Sequence, residues 1–130
     1  MMQKIKCLLY TILDWFKQTR LASVLFYYGK RFVHVRPITI TGSVITIDTV
    51  SSDGDSCFDV AGDDGVRWHC EVTICAEPEL RSVASTLKPG QRVRVSGVFT
   101  IDPDHHILWI KYIGGHNEIH PVTAIEILPG

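Results

Sequence analysis

Two stretches, "PITITGSVITIDTV" and "RVRVSGVFTID", constrain the fold most. Both are rich in β-branched residues, and both alternate apolar with polar positions. Such alternation fits a pleated, half-buried strand and argues against an amphipathic helix. Each stretch also carries a central glycine, Gly42 or Gly97. A glycine inside a strand marks a bulge or a sharp bend. Long strands that bend in the middle can wrap a small barrel.

The segments between them complete the pattern. "SSDGD" reads as a turn, "SCFDVAG" as a second strand ending at "DDG", and "VRWHCEVTICA" as a third. "PELRSVASTL" reads as a short helix, with Pro78 in its first turn and Leu80, Val83, Ala84 and Leu87 on one face. "KPGQ" is a turn before the fourth strand, "HHILWIKYI" an added strand or hairpin arm, and "PVTAIEIL" the last strand. The order β-β-β-α-β-β predicts an all-β chain with flanking helices, a five-stranded OB-fold-like Greek-key barrel. No internal repeat and no low-complexity linker interrupts it.

Residues 3–28 predict an N-terminal amphipathic helix. Ile5, Leu8, Leu9, Ile12, Trp15 and Phe16 recur at helical spacing, and Gly29 can stop it. The expected division is a basic helical segment, 1–35, followed by a barrel domain, 36–130. Asp14, Lys17 and Arg20 interrupt the apolar run, and no small-residue cleavage site follows it. Neither a signal peptide nor a membrane span is read there. Three roles stay open for the helix: packing on its own domain, lying on a membrane surface, or contacting a partner.

Charge divides the chain in the same place. Residues 1–36 hold seven basic residues against the single acid Asp14, a balance of +6, which leaves −7 for the rest of a chain whose net charge is −1. A basic head suits an anionic surface or a partner protein. The acidic body is a poor match for a phosphate backbone, which makes nucleic acid the less favoured partner. Of the four cysteines, Cys7, Cys57, Cys70 and Cys75, none forms a C-x-x-C pair, so no zinc ribbon is expected. Cys70 falls at core parity as a small apolar residue. Nothing in the spacing requires an oxidising compartment, and the expected location is cytoplasmic, with peripheral membrane contact through the helix.

The candidate site comes from strand parity. In the third strand Trp68, Cys70, Val72 and Ile74 share the core face, which leaves His69, Glu71 and Thr73 on the other. In "HNEIHPVTAIEI", Glu118 and His120 fall together, and the fifth strand of such a barrel runs beside the third. His69, Glu71, Glu118 and His120 are therefore expected to converge. Carboxylates with imidazoles suit a divalent metal ion such as Zn²⁺ or Mn²⁺, or a general acid–base couple. The competing expectation is plain salt bridges across strands. Asp53 and Asp55 in "DGD" are further site candidates, and Asp102 and His105 in "DPDHH" are further metal candidates. Aspartates in turns also have a backbone role of their own.

The chain resembles a group of small bacterial OB-fold-like proteins of unassigned function. The likeness rests on "DGDSCFDV", "WHCEV", "KPGQRVRVSG", the D-x-D-H turn and "NEIHPVTAIEI", over roughly residues 38–128. It implies the fold and the site positions. A looser likeness, "DGD" followed by a strand and then "AEPE", is to the thermonuclease family, whose members hydrolyse phosphodiesters with Ca²⁺. Here Ala76 and Glu77 precede Pro78, where that family has an aspartate shortly before "PE". Arg67 and Arg81 are the only nearby basic residues. The expected function is a binding or interaction module for a protein or small ligand at the barrel face. The alternative is a metal-dependent hydrolase acting on phosphodiesters.

Overall fold

The computed structural model describes residues 1–17, 19, 21, 33–48, 54–101 and 117–130. It has an N-terminal helix α1 (Met2–Lys17), then β1 (Val33–Asp48), β2 (Ser56–Gly62) and β3 (Arg67–Val72). Helix α2 (Pro78–Thr86) follows, then β4 (Arg92–Ile101) and β5 (Asn117–Ile127). The strands close into a barrel in the order β1-β2-β3-β5-β4. The β3–β5 pairing is parallel and the others are antiparallel. This is the five-stranded OB-fold-like barrel expected from the order of elements.

Alternation builds the core. Ile40 and Val44 of β1 point inward with Phe58 and Val60 of β2, Trp68, Cys70 and Val72 of β3, Val93 and Val95 of β4, and Ile119 and Val122 of β5. Burying each large aliphatic or aromatic side chain contributes about 1.5–3 kcal/mol. A bulge in β1 between Val44 and Thr46 inverts the parity there. Ile47 therefore packs against the core while Ile45 is exposed. Trp68 and Phe99 meet edge-to-face at 5.6 Å between ring centroids.

Gly97 has a steric reason. β4 is irregular on both sides of it, and a methyl group there would run into the Ile119 side chain and the Pro121 carbonyl. The β5 backbone at Pro121 and Val122 passes too close to Gly97 to leave room for a side chain. Helix α2 begins at Pro78, and its buried Ala84, together with Leu87 just past its end, joins the core.

Three expected strand boundaries move. β1 begins at Val33, before the expected Pro37, because Val33 and His34 already pair with Ile101 and Thr100 of β4. β3 stops at Val72 instead of running to Ala76, so Thr73 leaves the face shared by His69 and Glu71. The reason is local: Asp55 Oδ1 accepts the Ile74 amide at 3.0 Å, and the Ala76 amide donates to the Thr73 carbonyl, which makes a turn. β5 starts at Asn117, before the expected Pro121, because parallel pairing with β3 already holds Asn117, Glu118 and Ile119. The expected helix over 3–28 ends as α1 at Lys17, with a bend at Thr19, and most of its expected continuation, like the expected strand or hairpin arm in "HHILWIKYI", lies outside the described residues.

The cysteines also differ from expectation. Cys7 of α1 is joined to Cys75 by a disulfide, a pairing that no spacing in the sequence predicts. Cys57 and Cys70 are free and buried, as the parity of Cys70 implies. No described helix is long and apolar enough to cross a membrane.

Candidate functional site

The register of the sheet lays a polar row across four strands. Asp59 of β2 stands opposite His69 of β3, His69 opposite Glu118 of β5, and Glu118 opposite Thr100 of β4. All are on the side of the sheet opposite Phe58, Cys70, Ile119 and Phe99, which build the core. Asp59, Glu118 and Thr100 are buried even so. The opening to solvent lies at His69, Glu71 and His120, each with 17–18% of its side chain exposed.

Contacts run through this cluster as a chain. Arg67 holds Asp59 Oδ2 through Nε at 2.9 Å and a terminal nitrogen at 2.6 Å. Asp59 Oδ1 meets His69 Nδ1 at 2.7 Å. His69 Nε2 lies 3.3 Å from Glu71 Oε1, and the Cys57 thiol donates to the same oxygen at 3.8 Å. The other oxygen of Glu71 binds His120 Nδ1. Thr100 Oγ1 fixes the backbone of β5 by donating to the His120 carbonyl at 2.6 Å.

Electrostatics follow from that chain. The hydrogen bond to Asp59, with those to Cys57 and Glu71, pushes His69 up to about 12 despite its burial. Burial alone would raise Glu71, but hydrogen bonds from His120 and His69 outweigh it and hold the carboxyl far below its ordinary range. Asp59 is lowered in the same way, burial being overcome by His69 and Arg67. Burial opposes charge on His120, yet Glu71 raises it. Burial lifts the Cys57 thiol, with the His69 bond offsetting it only in part, so Cys57 stays protonated and is no ready nucleophile.

Two donor groups are close enough to hold a cation. In Cys57, His69 and Glu71, and again in Asp55, Glu71 and His120, one ligand atom per residue lies within 4.8 Å of the others. Glu71 belongs to both, with one oxygen toward His69 and Cys57 and the other toward His120. Asp59 sits behind His69, where it sets the ring orientation and leaves Nε2 turned to the first group.

Of the sequence candidates, His69, Glu71, Glu118 and His120 come together, and Asp55 joins them from the start of β2. Asp53, Asp102 and His105 lie outside the described residues. Cys57 and Asp59 were missed. The signal was present in "SCFDVAG": with Phe58 and Val60 inward, Cys57 and Asp59 must share the outer face with their cross-strand partners Glu71 and His69.

Fold and site together define a closed five-stranded barrel with a polar cluster on its outer face. No family model matches the chain, and no curated protein matches it. Among solved structures the chain is similar to OBody AM3L15 bound to hen egg-white lysozyme. The identity is 17% and the TM-score 0.50, over 75% of this chain and 80% of that one. The likeness is one of fold.

Proposed function

We propose that this protein is an OB-fold-like binding module whose polar cluster holds a divalent cation, with a protein or small ligand engaged at the same barrel face. The observation that carries the reading is the clamp on His69. Asp59 takes Nδ1, and Nε2 is left beside Glu71 and within the Cys57 group. Thiol, imidazole and carboxylate donors together suit Zn²⁺ best. The solved neighbour of similar fold is bound to a protein, which supports a protein-binding role. The −7 balance beyond residue 36 weighs against nucleic acid. On the motifs of residues 38–128, the chain is kin to the small bacterial OB-fold-like proteins. The Cys7–Cys75 bridge supports an oxidising compartment over the cytoplasm.

Calorimetry with Zn²⁺ tests the reading on the native chain and on His69→Ala and Glu71→Ala, with folding checked by circular dichroism. Folded variants should lose at least about tenfold in affinity, since each removes a donor. Equal, weak binding by all three proteins would rule the site out.

One observation favours a second reading, a metal-dependent phosphodiester hydrolase. The two oxygens of Glu71 turn to two different donor groups, as a carboxylate does when it bridges paired metal ions. Arg67 is committed to Asp59 and gives no phosphate clamp. Release of nitrophenolate from bis(p-nitrophenyl) phosphate with Zn²⁺ or Mn²⁺, abolished in Glu71→Gln, would select this reading. No release above the metal blank would remove it.

A further inference from the structure

We infer that α1 is a membrane-surface anchor, with its polar side bolted to the barrel and its apolar side presented to an anionic bilayer. The geometry starts from one bond. Cys7 is joined to Cys75, which follows β3, so the Cys7 side of the helix faces the barrel. At 3.6 residues per turn, Ile5, Leu9 and Ile12 lie on the opposite side of the helix from Cys7. The structure agrees: Ile5, Leu8, Leu9, Ile12 and Trp15 are 52–69% exposed, whereas Cys7 is half-buried. A helix that covered its own core would bury those residues.

The occupant follows from charge. Lys4 and Lys6 flank the two edges of the apolar arc, and no acidic residue occurs among residues 1–13. Lysines at the borders of an apolar stripe can extend their ammonium groups to lipid phosphates while their stems stay with the acyl chains. Trp15 near the end of the stripe suits the headgroup level. The +6 balance of residues 1–36 adds attraction toward anionic lipid. A second copy of the chain would bring the same lysines together and repel. The disulfide then sets how the barrel stands on the surface, because it fixes which side of α1 is turned away from the lipid.

The test uses the full oxidised chain and vesicles of phosphatidylcholine with or without phosphatidylglycerol. Flotation should show binding to the mixed vesicles at least about tenfold tighter than to the neutral ones, and salt should weaken it. Lys4→Glu and Lys6→Glu should each lower partition by about fivefold or more, since a basic residue near the surface is worth about 1 kcal/mol. Leu9→Asp should abolish binding and leave the thermal unfolding of the barrel unchanged. Three results would overturn the inference: no binding by the native chain, a lower unfolding temperature in Leu9→Asp, or a dimer by sedimentation equilibrium that Leu9→Asp dissociates. The second would mean the face packs on its own chain, and the third that a second copy covers it.

Discussion

Asp59 and His69 face each other across the β2–β3 ladder, and the carboxylate grips the Nδ1 side of the ring at 2.7 Å. That contact decides which nitrogen the site can use. Held in this way, His69 offers only Nε2 toward Cys57 and Glu71.

Asp59→Asn should therefore weaken Zn²⁺ binding although Asp59 is outside both donor groups. Loss of such an orienting partner typically costs 10–100-fold in metal affinity. Competition against a chromogenic chelator measures it. An unchanged affinity would mean that the ring is oriented by β-sheet packing alone.

Removing the disulfide should separate the two parts of the molecule. The Cys7–Cys75 bridge spans 68 residues of sequence, and the chain-entropy account assigns a loop of that length about 4 kcal/mol. Cys75→Ser should lower the urea midpoint and expose α1 to protease, while the strands of the barrel from Val33 onward stay folded. Limited proteolysis followed by mass spectrometry distinguishes this from loss of the whole fold.

Gly97→Ala should be costly for its size. The added methyl meets the Ile119 side chain and the Pro121 carbonyl, and the carbonyl cannot move without shifting β5. Overpacking of this kind costs about 1–3 kcal/mol. Gly90→Ala is the contrast: its φ of 89° strains an alanine, but its methyl meets nothing within 4 Å. Chemical denaturation of both variants separates collision from backbone strain, and Gly97→Ala should also disturb the Ile119 environment seen by methyl NMR.

Much of this was legible in the residues. β2 was read as "SCFDVAG", the segment Ser56–Gly62 that pairs in the structure. Parity in β3 and β5 placed His69, Glu71, Glu118 and His120 on one side, because a period of two leaves little freedom once Trp68, Cys70 and Ile119 are inside. Two matters were not legible for different reasons. Parity in "SCFDVAG" turns Cys57 and Asp59 outward, but their pairing with Glu71 and His69 needed a register, which depends on the turn at Asp63–Gly65 and not on composition. There Asp64 accepts the Val66 amide at 2.9 Å, and Gly65 takes φ 81°. The Cys7–Cys75 bridge joins two elements whose meeting depends on where α1 settles, and no local spacing encodes that.

The metal-free protein should be most stable in mildly acidic solution. Glu71 and Asp59 are both held below their ordinary values of 4.5 and 3.8. A depressed carboxyl contributes stability above its unfolded value, and that contribution is lost as pH falls through the folded one. His69 is displaced the other way, from 6.5 to about 12, and His120 is also raised. A raised imidazole contributes fully below its unfolded value, and the contribution drains away as pH climbs toward the folded one. The two trends leave a maximum between roughly pH 4.5 and 6.5, the interval between the ordinary carboxyl and imidazole values. Urea midpoints measured in chelator from pH 3 to 10 should trace it. Zn²⁺ should flatten the alkaline side, because the ion takes over the positive charge that the imidazole proton supplies and releases that proton on binding. His69→Gln should make the alkaline decline shallower without metal, leaving the part due to His120, and should lose the Zn²⁺ effect. A native profile that rises steadily to pH 9 in chelator would show that the chain from Asp59 through His69 and Glu71 to His120 does not hold the charges assigned to it.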